Sequence, residues 1–255
     1  MSDRPLILLS NDDGFDATGL LALRDALLRI GDVVVCAPAT NQSATSHKLT
    51  LTTVLRLRRI DGATFALDGT PADCIYVALH SKDKLIPRWP DLVVSGMNHG
   101  PNLGIDVVYS GTVAAAREAA NRGIPAVAIS ADVLANRQAA AELGAQVVER
   151  CWRRVKDQPR PLSPAPLLNV NIPAGVGPWP LVATAAGRRL YDDDVVYRQD
   201  PRGREYLWIG GSDFTHDEVE GTDTEAWERG KASVTPLTLA VNERDHAALA
   251  AACAD

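Results

Sequence analysis

Two adjacent carboxylates, Asp12 and Asp13, stand in the segment Ser10-Asn11-Asp12-Asp13-Gly14, directly after the apolar run Leu6-Ile7-Leu8-Leu9. Like charges at the tip of a buried strand repel each other and are hard to desolvate unless a cation sits between them. Hard oxygen ligands of this kind suit Mg²⁺ or Mn²⁺ rather than zinc. Asn-Asp-Asp-Gly is also good turn chemistry, and taken alone it favours an ordinary turn. The balance shifts because other polar segments follow apolar runs in the same way. Asn41-Gln42-Ser43 comes after Val33-Val34-Val35-Cys36. The glycine-rich segment from Gly96 to Gly104, which contains Asn98 and His99, comes after Asp91 to Ser95. Tyr109-Ser110-Gly111-Thr112 then opens an alanine-rich stretch.

Each of these has a chemical reading and a plainer one. Ser43 and Asn98 are neutral oxygen donors able to complete the shell of a metal, although each taken singly reads as a capping or loop residue. Ser110, Gly111 and Thr112 would place two hydroxyls and the unpaired first-turn amides of a helix around a phosphate, and simple N-capping is compatible with that role. The glycines beside Asn98 would let backbone amides approach an anion, a weaker signal because glycine-rich loops are common. Asn11 is placed to orient a phosphate or a water. His99 and His47 are the candidates for proton transfer, since imidazole titrates nearest neutral pH, and a surface or supporting role is the plainer reading of each. His80, His216 and His246 carry no functional assignment. Arg188-Arg189 and Arg202 to Arg204 read as solvated charges, though a basic arm could reach a substrate phosphate.

The elements that must position these residues alternate between strand and helix. Leu6 to Leu9 reads as a strand buried on both faces. Leu20, Leu21, Leu23, Ala26, Leu27 and Ile30 recur at helical spacing, with Gly31 as the stop. Val33 to Cys36 is the second strand. A β-rich stretch from Leu49 to Leu57 and the short strand Phe65 to Leu67 follow. Thr70 as N-cap, Pro71 in the first turn and Asp73 against the dipole mark a helix start. Asp91 to Ser95, Ala126 to Ile129 and Leu167 to Ile172 are further strands, with helices over Val113 to Arg122 and roughly Asp132 to Val155. This alternation implies an α/β fold with a mostly parallel sheet covered by helices on both faces. Residues 183–221 break the pattern. Val195 to Tyr197, the turn Asp200-Pro201-Arg202-Gly203 and Tyr206 to Ile209 read as a β-hairpin, an arm protruding from one domain that spans residues 1–255. Ala232 to Val241 is a last strand, and a short alanine-rich helix follows. In open parallel sheets ligands bind outside the carboxyl ends of the strands, where the polar segments above all fall.

Composition narrows the function classes. The chain has 255 residues and a net charge of −6, which argues against a grip on polymeric nucleic acid. An acidic protein that binds a phosphate needs local help from a cation, a helix N-terminus or placed donors. Cys36, Cys74, Cys151 and Cys253 are scattered without a C-x-x-C pair, which argues against a zinc cage or a disulfide framework. The four-residue apolar run near the start is too short for a signal peptide or a membrane span, so the expectation is a cytoplasmic protein without membrane partners.

Taken together, the motifs resemble the SurE survival-protein family of metal-dependent nucleotidases. The resemblance rests on Leu8 to Gly14, Asn41-Gln42-Ser43, Gly69 to Cys74, Val94 to Gly104, Tyr109 to Val113, Asn169 to Pro173, Glu220 to Asp223 and Ser233 to Leu237. It implies a Rossmann-like domain with a C-terminal arm used in subunit association, giving a homodimer or homotetramer. It further implies hydrolysis of nucleoside 5′- and 3′-monophosphates, with short polyphosphate as a further substrate of some members. One divalent metal per subunit, Mg²⁺ or Mn²⁺, would be held by Asp12, Asp13, Ser43 and Asn98, and the phosphate by Ser110 to Thr112. Phe15 to Gly19 lacks the proline usual before that glycine. Ile105 replaces a frequent acidic residue, and Thr224-Glu225 a more apolar pair. These departures bear on base preference and arm packing. Three rival classes fit less well. A receiver-type phosphoacceptor needs a further Asp where Ser95 stands and is about half as long. A haloacid-dehalogenase-type phosphatase needs an acid two positions after Asp12, where Gly14 stands. A dinucleotide-binding oxidoreductase needs a G-x-G-x-x-G after a strand.

Overall fold

The computed structural model describes residues 4–191, 195–210, 214–217 and 219–239, together with residue 253. The expected C-terminal helix, His246 and the far end of the expected last strand lie outside the described residues.

The chain opens with β1 (Leu6–Ser10), α1 (Thr18–Leu27) and β2 (Asp32–Pro38). Next come β3 (Leu57–Arg59), β4 (Thr64–Leu67), α2 (Pro71–His80) and β5 (Leu92–His99). A 3-10 turn over Gly104–Val108 leads into α3 (Gly111–Asn121), followed by β6 (Ala126–Ala131), α4 (Arg137–Val155) and β7 (Leu167–Ile172). The last part holds β8 (Leu181–Ala183), β9 (Arg189–Tyr191), β10 (Val195–Gln199), β11 (Glu205–Ile209), β12 (Phe214–His216), α5 (Asp223–Glu228) and β13 (Ala232–Pro236).

Nine strands form one sheet in the order β3-β4-β2-β1-β5-β6-β7-β13-β8. The pairs from β4 through to β7 are parallel, while β3 on β4 and β13 on β7 run antiparallel. This is the expected mostly parallel α/β sheet in its Rossmann-like form. The alternation of side chains along β1 shows why both faces must be covered. Leu6 and Leu8 enter a core with Val34, Cys36, Phe65 and residues of α2 and α3. Ile7 and Leu9 point the other way, into a core with α1 and α4. A strand with apolar residues on both faces is stable only where helices shield both.

Several boundaries differ from the sequence expectation. The β-rich stretch from Leu49 shows no strand before β3, and its Leu51 and Val54 are exposed. Side-chain acceptors hold this segment instead of a ladder: Thr50 N–H donates to Asp73 Oδ1 (2.8 Å), and Arg56 N–H donates to Asp68. Helix α4 begins at Arg137, not near Asp132, because Asn136 accepts from Ala139 N–H (3.0 Å) and caps it, while Asp132 accepts from Leu134 N–H in the preceding turn. Strand β5 continues past Ser95 to His99, with a shift in register between Gly96 and Asn98. The sequence also missed β8, β9, β12 and α5. No helix among the described residues is long and apolar enough to cross a membrane.

The hairpin is where the sequence placed it: β10 and β11 pair antiparallel from Val195 with Ile209 to Gln199 with Glu205. Asp200 fastens its turn, accepting from the N–H groups of Arg202 (2.8 Å) and Arg204 (2.9 Å). Below it, β9 pairs with β12.

Gly19 sets how closely α1 approaches β5, since a Cβ there would lie 2.2 Å from the Met97 carbonyl oxygen. Gly19→Ala must push helix and strand apart. It should cost roughly 1–3 kcal/mol in urea unfolding, whereas Gly62→Ala, with open space around it, should lie within about 0.5 kcal/mol of the parent. Equal stabilities for the two variants would contradict the close approach.

Candidate active site

The polar segments do converge. Asp12, Asp13, Ser43, Asn98, His99, Asn102, Asp106, Tyr109, Ser110, Arg189 and Tyr191 line one cleft of about 300 Å³ at the carboxyl ends of β1, β2 and β5. Three turns deliver Asp12, Asp13, Ser43 and Asn98. The first follows β1: Asn11, fully buried, donates through Nδ2 to the Gly14 carbonyl (2.9 Å) and accepts from Gly14 N–H (3.2 Å). Its amide thus clamps the turn that aims both carboxylates. The second, after β2, is fastened to the first, because Gln42 N–H donates to the Asp12 carbonyl (2.7 Å). Within it Ser43 Oγ–H donates to Asn41 Oδ1 (2.7 Å), so the hydroxyl oxygen keeps its lone pairs for a further contact. The third is the end of β5, where Asn98 Nδ2–H donates to the Gly100 carbonyl (2.8 Å) and so fixes which end of the amide is the acceptor.

A buried network holds the rest of that third loop. Asn102 N–H donates to Asn171 Oδ1 (2.8 Å), and its own Nδ2 donates to Ser130 Oγ (2.7 Å). Asn169 and Asn171 both donate to the Asn102 carbonyl, at 2.8 and 3.1 Å. Polar side chains on β6 and β7 therefore reach across to pin the segment after β5.

Helix α3 aims its N-terminus at Asp12. Ser110 is the N-cap, accepting from Val113 N–H (3.1 Å). Thr112 Oγ1–H donates to Asp12 Oδ1, and the Thr112 backbone N–H also favours the ionised carboxylate, so both polar groups of this residue are turned to Asp12. Gly111 permits the contact: a Cβ there would stand 2.9 Å from Asp12 Cβ and 3.1 Å from Pro71 Cγ.

Asp12 is 4% exposed. Burial pushes its carboxyl up to about 6; the Thr112 hydroxyl opposes this, and the neighbouring charge of Asp13 adds to it. Asp13 is half-buried, with Asn41 Nδ2 at 3.4 Å and His99 N–H at 3.3 Å. A desolvated carboxylate with a second one beside it and neutral oxygens around suits a hard divalent cation. Among the described residues no group of three or more His, Cys, Asp or Glu is placed to hold a metal.

Other sequence candidates sit differently. His47 does not line the cleft; its Nε2 lies 3.0 Å from Glu118 Oε2, and Arg122 holds the other carboxylate oxygen of Glu118. His99 is exposed and lines the cleft. Arg189 is not a solvated charge: its side chain is 11% exposed and its Nη1 lies 2.7 Å from Asp106 Oδ2. Tyr191 Oη–H donates to Asp106 Oδ1 (2.5 Å). The first strand of the arm thus walls the cleft, which the sequence reading missed. Arg189 and Asp106 are 83 positions apart, and no local pattern pairs them.

Fold and site together define a Rossmann-like α/β protein that gathers oxygen donors and a helix N-terminus at the carboxyl ends of its strands. The chain belongs to the SurE family: the family model described as Survival protein SurE matches residues 7–193. It is 60% identical over 247 residues to the 5′-nucleotidase SurE of Sorangium cellulosum, covering 97% of this chain and 95% of that one. It is 48% identical to the 5′-nucleotidase SurE of Myxococcus xanthus, covering 93% and 89%. The crystal structure of the SurE protein from Aquifex aeolicus superposes with a TM-score of 0.81 at 36% identity, covering 98% of this chain and all of that one.

The raised Asp12 carboxyl has a measurable consequence in the metal-free protein. An acid whose folded pKa of about 6 exceeds its unfolded value of 3.8 leaves stability intact below about pH 4 and removes it as the pH rises through 6. Asp12→Asn should therefore stabilise the chelator-treated protein by roughly 1–3 kcal/mol at pH 7.5 and by almost nothing at pH 4. Urea melts at the two pH values check this; destabilisation at pH 7.5 would contradict the electrostatics.

Proposed function

We propose that this protein is a divalent-metal-dependent phosphomonoesterase that hydrolyses nucleoside 5′- and 3′-monophosphates to nucleoside and phosphate. The observation that carries the reading is the buried Asp12, with Asp13 beside it and the first turn of α3 closed on it, in one cleft with Ser43 and Asn98. The names of the relatives favour nucleotides as substrates. The same site takes any terminal phosphoryl group, so short polyphosphate belongs to the proposed range.

Asp12, Asp13, Ser43 and Asn98 would hold one Mg²⁺ or Mn²⁺ per subunit. An ion held there would supply Lewis acidity toward the phosphoryl oxygens and the attacking water. The protein supplies the rest. The first-turn amide of Gly111, which has no intrahelical acceptor, and the Ser110 hydroxyl stabilise charge on the equatorial phosphoryl oxygens, while Thr112 holds Asp12 through its hydroxyl and backbone amide. Asn11 keeps the turn in shape so that both carboxylates stay aimed. His99, the histidine that lines the cleft, is the proposed proton donor to the departing oxygen.

Chelator should abolish phosphate release from nucleoside monophosphates, and Mn²⁺ or Mg²⁺ should restore it. Asp12→Asn or Asp13→Asn should lower kcat by ~10²-fold or more. Full activity after dialysis into excess chelator would sink the metal assignment.

We further propose that the arm makes the protein a homodimer or homotetramer, working in the cytoplasm. Tyr197, Leu207, Trp208 and Ile209 are at least half exposed, more apolar surface than an isolated hairpin can shield. Among the described residues β10 and β11 pair only with each other, and a two-stranded sheet can take a further strand from another chain. Four free cysteines suit a reducing compartment. Light scattering should give an oligomer at micromolar concentration, and deletion of residues 195–208 a monomer; a monomeric full-length protein would refute the proposal.

A further inference from the structure

The cleft is lined by two unlike sets of groups. One presents the oxygen donors and the helix N-terminus. The other presents two tyrosines on different elements, Tyr109 immediately before the N-cap of α3 and Tyr191 on β9 of the arm. Both are well exposed, at 60% and 41%. Neither is an idle surface residue. The Tyr109 backbone is tied on both sides, its N–H to the Asp106 carbonyl and its carbonyl to Ser46 N–H, each at 3.0 Å. The Tyr191 hydroxyl is spent on Asp106 at 2.5 Å, and the Arg189 guanidinium stands 5.4 Å from its ring centroid. A tyrosine whose hydroxyl is tied down offers the cleft its ring.

We propose that Tyr109 and Tyr191 recognise the nucleobase of the substrate by stacking, which makes the arm a determinant of substrate specificity as well as a protrusion. The inference rests on the phosphomonoesterase reading above and extends it to the leaving group. Aromatic side chains hold bases with little dependence on sequence because every base has a π-face. The pair therefore favours nucleotides over base-free phosphate esters while discriminating weakly among bases. Asp106 serves as a positioning residue. It takes Arg189 at 2.7 Å and Tyr191 at 2.5 Å, so one carboxylate fixes the arm strand against the turn that carries Tyr109.

The test compares the metal-loaded wild type with Tyr109→Leu, Tyr191→Leu and Tyr191→Phe on two substrates, AMP and ribose 5-phosphate. These share a phosphate ester and differ by the base. The expected result is a roughly 10-fold fall in the ratio of kcat/KM for AMP over ribose 5-phosphate in each leucine variant, carried by KM. Tyr191→Phe keeps the ring and should keep the ratio. A ratio unchanged in both leucine variants overturns the proposal, as does a ratio lost equally in Tyr191→Phe, which would trace the effect to the Asp106 bond. AMP binding by isothermal titration to the same metal-loaded proteins separates the two readings. If the wild type turns over neither ester but binds AMP in a manner that weakens ~10-fold in the leucine variants, the hydrolase reading falls and base recognition stands. If binding is indifferent to both rings, base recognition falls whatever the activity.

Discussion

The Asp12 carboxylate sits at the end of β1 with the first turn of α3 closed upon it, and the rest of the site follows from keeping that contact shut. Burying an ionisable group this deeply is costly unless its charge is met. The fold meets part of it with the Thr112 hydroxyl and with a helix N-terminus, whose partial positive charge favours an anion within the first turn. The approach requires Gly111, since Asp12 and Pro71 leave no room for a side chain. In the proposed reading a cation meets the remainder, and the turns after β2 and β5 bring the neutral oxygens of Ser43 and Asn98 to the same cleft. Electrostatic need and geometric supply thus coincide at one place on the sheet.

The same device appears a second time, used for support. At the start of α2, Thr70 accepts from Asp73 N–H (3.1 Å) while Asp73 accepts from Thr70 N–H (2.9 Å), a capping box. Asp73 also accepts from Thr50 through both its N–H (2.8 Å) and its hydroxyl (2.6 Å). Thr70 in turn donates to the Lys48 carbonyl (2.6 Å). The loop that carries Ser43 is therefore moored at its far end to one helix N-terminus. Near its other end Gln42 moors it to Asp12, and Ser46 binds the segment before α3, donating to the Val108 carbonyl (2.7 Å). A loop without regular structure needs such moorings to hold a side-chain oxygen in place.

How much of this was legible in the sequence depends on the range of the interactions. β1, β2 and β6 were readable because a continuous apolar run of four residues has few alternatives in a strand covered on both faces, while β5 showed a run of three, Leu92 to Val94, and β7 two leucines followed by alternating Val170 and Ile172. Thr70 and Ser110 were readable as helix starts because capping is settled within three residues. The polar strand ends were readable as a site because parallel sheets concentrate them at one edge. The asparagine network was not. Asn169 and Asn171 stand out only as part of the family motif, and their partner Asn102 lies 67 and 69 positions away. β8, β9 and β12 have three residues each, too few for a period to show. β3 was blurred into a longer β-rich stretch, since composition there favours a strand while the chain supplies no partner for most of it.

The arm shows why that range matters to function. Arg189 and Tyr191 are two positions apart in β9 and so share a face, and both reach Asp106. A slip of one residue would bring Leu190 to the carboxylate and turn both polar groups away. The ion pair adds little net stability, because desolvating both partners offsets most of their attraction. Its contribution is to register: it selects one placement of the arm strand against the turn before α3. Asp223 reinforces that placement, accepting from Gly187 N–H (2.7 Å) just before β9 and from Gly104 N–H (3.1 Å) at the start of that turn. Burial raises the Asp223 carboxyl while these backbone amides oppose the rise, as expected of a buried acid kept for the bonds it accepts. A hairpin anchored only by its own ladder would leave the cleft wall free to shift. Anchored through Asp106 and Asp223, β9 is held to the turn that leads into α3, the helix that closes on Asp12.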